Sequence, residues 1–208
     1  MNKLDLKQIE DFSLEKKEYV ISDDVRKELE RSFSFLQEFS SDKIIYGINT
    51  GFGPMAQFKI DEDKLNQLQY NLIRSHSSGT GNVLDAESAR AVVLSRLTNF
   101  MQGNSGVSYG VIEKLVQFLN HDIIPEIYEH GGVGASGDLV QLAHLALNLI
   151  GEGYVYIDGV RRKTSEVLAE KNITPLKVKL RDGLGLMNGT SCMSGIGAVN
   201  LIYSYRLL

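Results

Sequence analysis

The most constraining feature of the sequence is a run of small residues that leads directly into an apolar segment. Residues 131–138 read Gly-Gly-Val-Gly-Ala-Ser-Gly-Asp, and residues 139–147 follow as Leu-Val-Gln-Leu-Ala-His-Leu-Ala-Leu. Glycine adopts backbone conformations that residues with larger side chains rarely adopt. The pattern predicts a tight turn that opens a buried helix, and it indicates that the backbone of the turn lies close to another group.

Length and composition indicate a globular protein. The chain has 208 residues, of which 43% are hydrophobic and 23% are charged, and its formal net charge is −4. This charge gives no general attraction to nucleic acid or to an anionic membrane. The single cysteine, Cys192, cannot form an internal disulfide, and no long apolar run stands near the first residue. We therefore expect a cytoplasmic protein without a nucleic-acid or membrane partner.

Apolar residues recur at helical spacing through most of the chain, which predicts a mainly α fold with a few short strands and hairpins. Four of the predicted helices begin after Ser22, at Asp61, after Asp85 and after Ser108. The other three run from Asp138 to Ile150, from Ser165 to Lys171 and from Ser191 to Leu208. The predicted extended segments are a strand at 19–21, a hairpin at 154–160 with an Asp-Gly turn, and residues 177–180. Small residues at 194, 195, 197 and 198 predict close backbone packing of the last helix.

Several known patterns compete for the glycine-rich stretch. Residues 132–137 match the dinucleotide fingerprint Gly-x-Gly-x-x-Gly, and Asp158 lies about where a ribose-binding acid would follow. That fingerprint requires a buried strand before it, whereas residues 126–130 form a short, charged segment next to Pro125. A serine-hydrolase elbow requires glycine where this chain has Asp138. A plain turn, with Asp138 capping the following helix, stays open.

The tripeptide Ala135-Ser136-Gly137 also permits a reaction of the backbone with itself. The amide nitrogen of Gly137 can attack the carbonyl carbon of Ala135 and close a five-membered ring. Loss of water from this ring and from the side chain of Ser136 leaves an exocyclic methylidene, an electrophile that no ordinary side chain provides. Glycine is the least hindered nucleophile, alanine leaves its carbonyl accessible, and serine supplies the leaving hydroxyl. A helix N-terminus at Asp138 would strengthen the electrophile.

Residues 131–144 resemble the prosthetic-group segment of the histidine and aromatic amino-acid ammonia-lyases. In that family the tripeptide becomes 4-methylidene-imidazol-5-one (MIO) autocatalytically. Three further segments resemble the family in its order along the chain: the tyrosine-bearing lid at 46–53, the substrate-ring segment at 71–79, and Gly-Leu-Met-Asn-Gly-Thr at 185–190. The resemblance implies the fold of the L-aspartase/fumarase-like (histidase) superfamily. It also implies an MIO cofactor made from Ala135-Ser136-Gly137, with no metal and no nucleotide.

The resemblance implies roles for three side chains outside the tripeptide. Tyr46 is the candidate base for the β-proton of the substrate, His76 lines the pocket for its ring, and Asn188 lies beside the prosthetic group and the substrate carboxylate. Spacing alone allows plainer interpretations, namely a half-buried strand tyrosine, a helix-end histidine that donates to a carbonyl, and a turn asparagine. The spacing of the histidines predicts no metal site, and we expect a structural role for His144.

The end of the sequence predicts that residues 1–208 are the N-terminal, MIO-bearing domain of a longer chain. The final helix reaches Leu208 without a glycine, a proline or a charged cap that would end it. In the family, the second half supplies a carboxylate-binding arginine, a second catalytic tyrosine and an acidic residue, and the members are homotetramers. We therefore expect a homotetramer at full length and no activity from residues 1–208 alone.

The expected reaction is that of a carbon–nitrogen lyase, the elimination of ammonia from L-histidine to give urocanate or from L-tyrosine to give p-coumarate. Ser75-His76 resembles histidine ammonia-lyases, while residues 75–81 and 54–57 also resemble bacterial tyrosine ammonia-lyases, so both substrates stay open. A site that hydrogen-bonds a polar ring discriminates against phenylalanine. An aromatic amino-acid 2,3-aminomutase of the same family is one alternative. A non-catalytic helical module, in which the tripeptide never cyclises, is another.

Overall fold

The computed structural model of the protein describes residues 4–58, 60 and 62–208, and α-helix is the main element in them. Within these residues the α-helices are α1 Leu6–Ser13, α2 Asp23–Phe39, α3 Glu62–His76, α4 Ala86–Phe100, α5 Tyr109–Asn120, α6 Leu139–Leu149, α7 Thr164–Glu170, α8 Asp182–Met187 and α9 Ser191–Leu207. The predicted first residue of α3, Asp61, lies outside the described residues. The prediction of a mainly α fold is confirmed.

The described strands are short and form two small antiparallel sheets, with β1 Thr80–Val83, β2 Ile124–Pro125, β3 Tyr128–His130, β4 Tyr154–Ile157 and β5 Val160–Lys163. One sheet pairs β1 with β3, and the other has the order β2-β4-β5. The predicted hairpin is confirmed, because β4 and β5 pair through a turn whose residues Asp158 and Gly159 have φ of 51° and 74°. Positive φ at both turn positions is the conformation that Asp-Gly favours.

Helix α4 lies at the centre of the fold and is buried along nearly its whole length. It packs most extensively on α9, where a Cβ atom added to Gly195 would lie 2.7 Å from the backbone of Ala91. The predicted close packing is therefore present at Gly195, but it is absent at Gly197, where an added Cβ would meet no atom within 4 Å. No helix in the described ranges has both the length and the apolar character that crossing a membrane requires.

The predicted helix starts are confirmed where the signal is local. Ser22 precedes α2, and the carboxylate of Asp85 accepts the amide hydrogen of Ser88 at 2.8 Å at the start of α4. Ser108 precedes α5, but its hydroxyl donates to the buried carboxylate of Asp182 at 2.7 Å instead of capping its own helix. Asp182 opens α8, so this bond ties the start of α5 to the start of α8.

The N-terminal region begins with a helix that the apolar spacing did not predict, and the predicted strand at 19–21 is wrong. The charged first residues form α1, whose start is held by reciprocal hydrogen bonds between Asp5 and Gln8. Residues 19–21 are extended but form no strand, because Tyr19 pairs both of its backbone groups with the side-chain amide of Asn120. A single amide thus replaces the neighbouring strand that the apolar pattern suggested. Residues 177–180, predicted as an extended segment, belong to no helix and no strand, and Leu180 lies in a turn.

Arg90 on α4 joins three separate segments of the fold. Its side chain is 2% exposed and donates to the carbonyls of Phe12, Ser13 and Leu119 and to the carboxylate of Asp122. Through these hydrogen bonds, the buried guanidinium holds the C-terminal ends of α1 and α5 against the core. The carbonyls would lose their partners if it were removed.

We expect Arg90→Met to lower the free energy of unfolding by about 2–4 kcal/mol, because buried carbonyls without a donor cost about 1–3 kcal/mol each and water can satisfy part of them. Urea denaturation followed by circular dichroism measures this change. The matched control is Arg31→Met. Arg31 forms an exposed pair with Glu28 on α2, and we expect its loss to cost less than about 0.5 kcal/mol. Equal losses in the two variants would contradict the role given to Arg90.

Candidate active site

The glycine-rich stretch forms a folded loop between β3 and α6. Gly134 and Gly137 have φ of 71° and 79°, which residues with a Cβ rarely adopt. Backbone bridges join Gly134 to Gly137 and Ala135 to Gly137, so the tripeptide is folded back on itself. Ala135 and Ser136 are exposed, whereas Gly137 is half-buried. The serine hydroxyl therefore faces outward from a tightly bent backbone.

The loop rests on the segment that follows α8. Gly137 forms a backbone bridge with Gly189, and the amide of Asp138 donates to the carbonyl of Gly189 at 2.8 Å. A Cβ atom added to Gly137 would lie 2.2 Å from that carbonyl oxygen. Only glycine fits at position 137, because both the dihedral angle and the contact exclude a side chain. Two of the segments that the sequence analysis singled out are thus in direct contact.

Asp138 does not cap the helix that it precedes, and that prediction is wrong. Its side chain makes no capping bond in α6. Its Oδ2 atom accepts the amide hydrogen of Met193 at 2.9 Å, so it caps the first turn of α9 instead. Through Asp138 the loop is joined by its backbone to Gly189 and by its side chain to α9. The N-termini of α6 and α9 therefore both lie next to the tripeptide.

Tyr46 lies in a turn and not in a strand, so the interpretation as a strand tyrosine is wrong. Its ring is 52% exposed and lies edge-on to Phe52, with 6.0 Å between the ring centroids. Its hydroxyl accepts the amide hydrogen of Gly53 at 3.5 Å, a long contact. The hydroxyl is therefore accessible and only weakly held.

Gln69, which the sequence analysis missed, holds the Tyr46 loop in place. It is fully buried on α3, donates to the carbonyl of Gly47 at 3.3 Å and accepts the amide hydrogen of Leu184 at 3.0 Å. Gly47 itself packs against the side chain of Leu184. The loop that carries Tyr46 is thus fixed to α8, the helix that leads to Asn188.

His76 ends α3 and contacts the carbonyl of Leu72 through its Nδ1 atom at 2.9 Å. A carbonyl accepts only, so Nδ1 carries the hydrogen in a neutral ring and Nε2 is the acceptor. The helix-end contact that spacing alone suggested is present. It also orients the ring and leaves Nε2 to meet a donor.

Asn188 follows α8 directly and is exposed. Its main chain is fixed at both ends, since its amide donates to Leu184 and its carbonyl accepts from Arg96 at 2.9 Å. In the described part of the chain, its side-chain amide forms no hydrogen bond. The amide is therefore held at a defined position and its polar atoms are open to a ligand.

His144 has the structural role that we expected. It is buried on α6, packs against the ring of Tyr128 with 5.0 Å between centroids, and its Nε2 atom accepts the amide hydrogen of Gly79 at 3.0 Å. Gly79 also lies against Gly131, so this bond ties the segment after His76 to the glycine-rich loop. Because Nε2 accepts, the ring is neutral.

We expect the free energy of unfolding to decrease as the pH falls below about 6.5, in part because of His144. Burial lowers the pKa of His144 from its ordinary value of 6.5, so the unfolded chain binds a proton at higher pH than the folded chain. The contribution of the neutral ring is complete above pH 6.5 and is lost as the pH falls below it. Denaturation at several pH values measures this slope. His144→Gln keeps an acceptor without titrating and should flatten the slope, whereas exposed His121→Gln serves as the control.

The structure brings part of the predicted site together. It joins the tripeptide to 188–189, and it joins the segment after His76 to the loop at Gly131. Within residues 4–58, 60 and 62–208, no hydrogen bond or ring contact links Tyr46 or His76 to the tripeptide. A cavity of about 330 Å³ lies between α1, α4 and α9, away from Ser136. In the described residues, no group of three or more His, Cys, Asp or Glu side chains could hold a metal ion.

The dinucleotide alternative lacks its structural context. The strand before the glycines, β3, is half-buried to exposed and pairs antiparallel with β1. The fingerprint requires a buried strand in a parallel sheet, with the acidic residue at the end of a neighbouring strand. Asp158 lies instead in the turn of the β4–β5 hairpin.

Comparison with known proteins decides the family. The sequence profile described as "Aromatic amino acid lyase" matches residues 4–208. The chain belongs to the aromatic amino acid lyase family. A relative in this family, the MIO-dependent tyrosine 2,3-aminomutase of Streptomyces globisporus, is 48% identical over 155 residues, which are 74% of this chain and 29% of that protein. A probable histidine ammonia-lyase of Thermoplasma acidophilum is 40% identical over 189 residues, which are 90% of this chain and 38% of that protein.

The fold is also that of the aromatic amino acid lyase family. The structure of the Pantoea agglomerans phenylalanine aminomutase superposes with a TM-score of 0.93 at 31% identity and covers 99% of this chain and 40% of that chain. The predicted fold of the ammonia-lyase superfamily is confirmed. The chain spans 29% to 40% of the length of these three proteins.

The tripeptide fits the MIO group on which this family depends. The bridge between Ala135 and Gly137 brings the two reacting residues together in a tight bend. The positive φ of Gly137 and its contact with Gly189 admit no side chain on the attacking residue. The side chain of Ser136 is exposed, so the carbon that would become the methylidene faces outward.

Proposed function

We propose that this chain carries the electrophilic half of an ammonia-lyase that acts on L-histidine or L-tyrosine. The observation that supports this most strongly is the seating of Ala135-Ser136-Gly137 on Gly189, which only a glycine at 137 permits. A plain helix-opening turn has no need for that contact. The proposed site comprises Ala135, Ser136 and Gly137 with Tyr46, His76 and Asn188.

The proposed cofactor forms without an external reagent. The nitrogen of Gly137 bonds to the carbonyl carbon of Ala135, and the former carbonyl oxygen leaves as water with the hydrogens of the two amide nitrogens of the ring. The Ser136 hydroxyl then leaves as a second water with the Cα hydrogen of Ser136, and a carbon–carbon double bond forms. No electron acceptor is consumed. The chain becomes lighter by roughly 36 Da, two water molecules.

The group, when present, supplies an electrophilic carbon that draws electrons from the amino group of the substrate. The N-termini of α6 and α9 place partial positive charge beside Gly137 and Gly189, and such charge stabilises electron density that develops there. This electrostatic contribution is fixed before the substrate arrives, because the amide of Asp138 donates to Gly189 and its carboxylate accepts from the amide of Met193.

Tyr46 is the proposed base for the β-hydrogen of the substrate. Elimination breaks the bond from the β-carbon to hydrogen and the bond from the α-carbon to nitrogen, forms a carbon–carbon double bond, and releases ammonia. The β-hydrogen is weakly acidic, so the reaction needs a base close to it. The Tyr46 hydroxyl is exposed and weakly held, and its loop carries Gly47, Gly51 and Gly53. Closure of such a loop over a substrate excludes water.

His76 and Asn188 are the proposed substrate contacts. The Nε2 atom of His76 is an acceptor, and it fits a ring that offers a hydrogen-bond donor. The imidazole N–H of histidine and the hydroxyl of tyrosine both do so, whereas phenylalanine would leave Nε2 unpaired. The open amide of Asn188 can donate to the substrate carboxylate.

Other polypeptide segments are proposed to complete the site. Ser136 and Tyr46 are exposed, and Val133 at the tip of the glycine-rich loop is 92% exposed. Substrate pockets bury most of the ligand surface, so walls must be added around these residues. A homotetramer, in which several chains contribute to each site, would supply them.

An aminomutase is the second candidate. The observation that favours it is the 48% identity to a tyrosine aminomutase over 74% of this chain. The same residues would act, and the amine would return to the β-carbon after elimination.

A product assay tests the proposal with protein expressed from the complete gene. We expect ammonia together with urocanate from L-histidine or p-coumarate from L-tyrosine. A β-amino acid in place of free ammonia would identify the aminomutase. Absence of urocanate, p-coumarate and the β-amino acid, with folded protein, would contradict both activities.

A further inference from the structure

Arg96 on α4 is the second buried arginine of the central helix, and it lies beside the candidate site. The buried face of α4 consists of residues at helical spacing, at positions 89, 92, 93, 96, 97 and 100. Apart from Arg96, the residues at these positions are apolar or small. Arg96 is 3% exposed. A charge at an inward position is costly, so its contacts must offset the loss of water.

Among the described residues, the guanidinium of Arg96 donates to oxygens at the end of α8 and the start of α9. Nη2 donates to the carbonyls of Gly185 and Asn188, the latter at 2.9 Å, and Nη1 donates to the hydroxyl of Ser191 at 3.3 Å. The last carbonyls of a helix lack partners and carry partial negative charge. One planar group thus binds the end of α8 to the start of α9.

Arg96 has no carboxylate partner in the described ranges. The acidic group that affects it most is Asp138, whose carboxylate is bonded to Met193. Burial lowers the pKa of Arg96 to about 10, which leaves the guanidinium charged at neutral pH. Its Nε atom is buried without a hydrogen-bond partner. Arg96 therefore differs from Arg90, whose guanidinium is paired with the carboxylate of Asp122.

Gly189 lies between Arg96 and the tripeptide. A Cβ atom added to Gly189 would be 2.4 Å from Nη1 of Arg96, so the backbone of Gly189 rests on the guanidinium. The carbonyl of Gly189 faces the opposite way and accepts from Asp138 at 2.8 Å. Movement of Arg96 would therefore reach Gly137 through Gly189, and it would reach Asp138 through Ser191 and the start of α9.

We propose that Arg96 is a positioning residue that fixes residues 188–190 as the support on which Ala135-Ser136-Gly137 is bent for cyclisation. The inference rests on the proposed function. Arg96 touches neither the ring atoms nor a substrate, and it acts through Asn188 and Gly189. Lysine keeps the charge but cannot reach two carbonyls and a hydroxyl in one plane. Displacement of a reacting group by about 1 Å costs on the order of 100-fold in rate.

Arg90 provides a matched control on the same helix. Both arginines are buried and both bind backbone carbonyls, but Arg90 binds Phe12, Ser13 and Leu119, away from the tripeptide. A general loss of stability would affect maturation in Arg90→Lys and Arg96→Lys alike. A specific effect on the support would appear only in the second variant.

The experiment measures the mass of the peptide that contains residues 135–137 in folded protein from the complete gene. We expect loss of two water molecules in the parent protein and in Arg90→Lys. In Arg96→Lys we expect the modified fraction to be at least about tenfold lower at a fixed time after synthesis. If Arg96→Lys does not fold, Ser191→Ala replaces it as the test variant, because it removes one hydrogen bond of Arg96 and keeps the charge. Ser191→Ala should mature more slowly than the parent.

The outcomes separate the two claims. A parent protein without the mass loss overturns both the proposed function and the role of Arg96. A parent with the loss, and an Arg96→Lys protein that matures at the same rate, overturns only the role of Arg96. If only Ser191→Ala folds, maturation at the parent rate overturns that role as well, and slower maturation supports it.

Discussion

Ser136→Ala is expected to lower lyase or mutase activity by more than about 10³-fold while it keeps its fold. This loss is larger than the loss of activity that follows removal of a single hydrogen-bond donor from an active site. Alanine has no hydroxyl to leave as the second water, so the electrophilic carbon cannot form. The side chain of Ser136 is exposed and forms no hydrogen bond within the residues that the structure describes. Turnover of L-histidine and L-tyrosine, with circular dichroism as the measure of folding, tests the expectation.

The control for this variant is Ser204→Ala. Ser204 is also exposed, lies on α9 and donates only to the carbonyl of Asn200 one turn earlier. We expect it to retain full activity. Activity of Ser136→Ala within tenfold of the parent would show that the reaction does not depend on the tripeptide.

Tyr46→Phe is expected to lower kcat by about 10²–10⁴-fold, the range that removal of a general base produces. The change deletes only the hydroxyl, which in the described part of the chain accepts one long hydrogen bond, from the amide of Gly53. The edge-on packing on Phe52 is kept, so the loop should stay in place. Steady-state kinetics with each substrate measures kcat and KM separately.

The mass of the tripeptide distinguishes the two kinds of loss. In Tyr46→Phe the peptide should carry the same modification as the parent, because the role proposed for Tyr46 is on the substrate and not on the chain. Tyr156→Phe on the β4–β5 hairpin is the matched control and should keep its kcat. A Tyr46→Phe enzyme with unchanged kcat would exclude Tyr46 as the base.

The sequence predicts those features whose signal is local. Ser22, Asp85 and Ser108 stand directly before α2, α4 and α5, and Asp158-Gly159 marks the hairpin, although of the three only Asp85 caps its helix through its side chain. The tripeptide could also be singled out from its own chemistry. The resemblance to ammonia-lyases added the family and fold, which the comparisons confirm.

Features that depend on distant residues could not be predicted. Asp138 precedes α6 but caps α9, because Gly189 is brought against the loop by the tertiary fold. Helix α8 contains Gly183 and Gly185, which disfavour helix by propensity. They are required by packing, since Cβ atoms there would lie 2.8 Å from the Oε1 of Gln69 and 2.6 Å from Val107 respectively.

Arg96 shows the limit of the sequence in the site itself. A charged residue at an inward position of a predicted helix is a visible signal, and it indicates a buried polar partner. The sequence does not show that the partners are carbonyls 89 and 92 residues farther along the chain. The placement of the 188–190 segment on that guanidinium follows only from the tertiary structure.

The mass of the protein expressed from its complete gene tests the central claim most directly. We expect a mass lower than that calculated from the sequence by roughly 36 Da, two water molecules, with the difference confined to the peptide that contains Ala135-Ser136-Gly137. An unmodified tripeptide in folded protein would contradict the account.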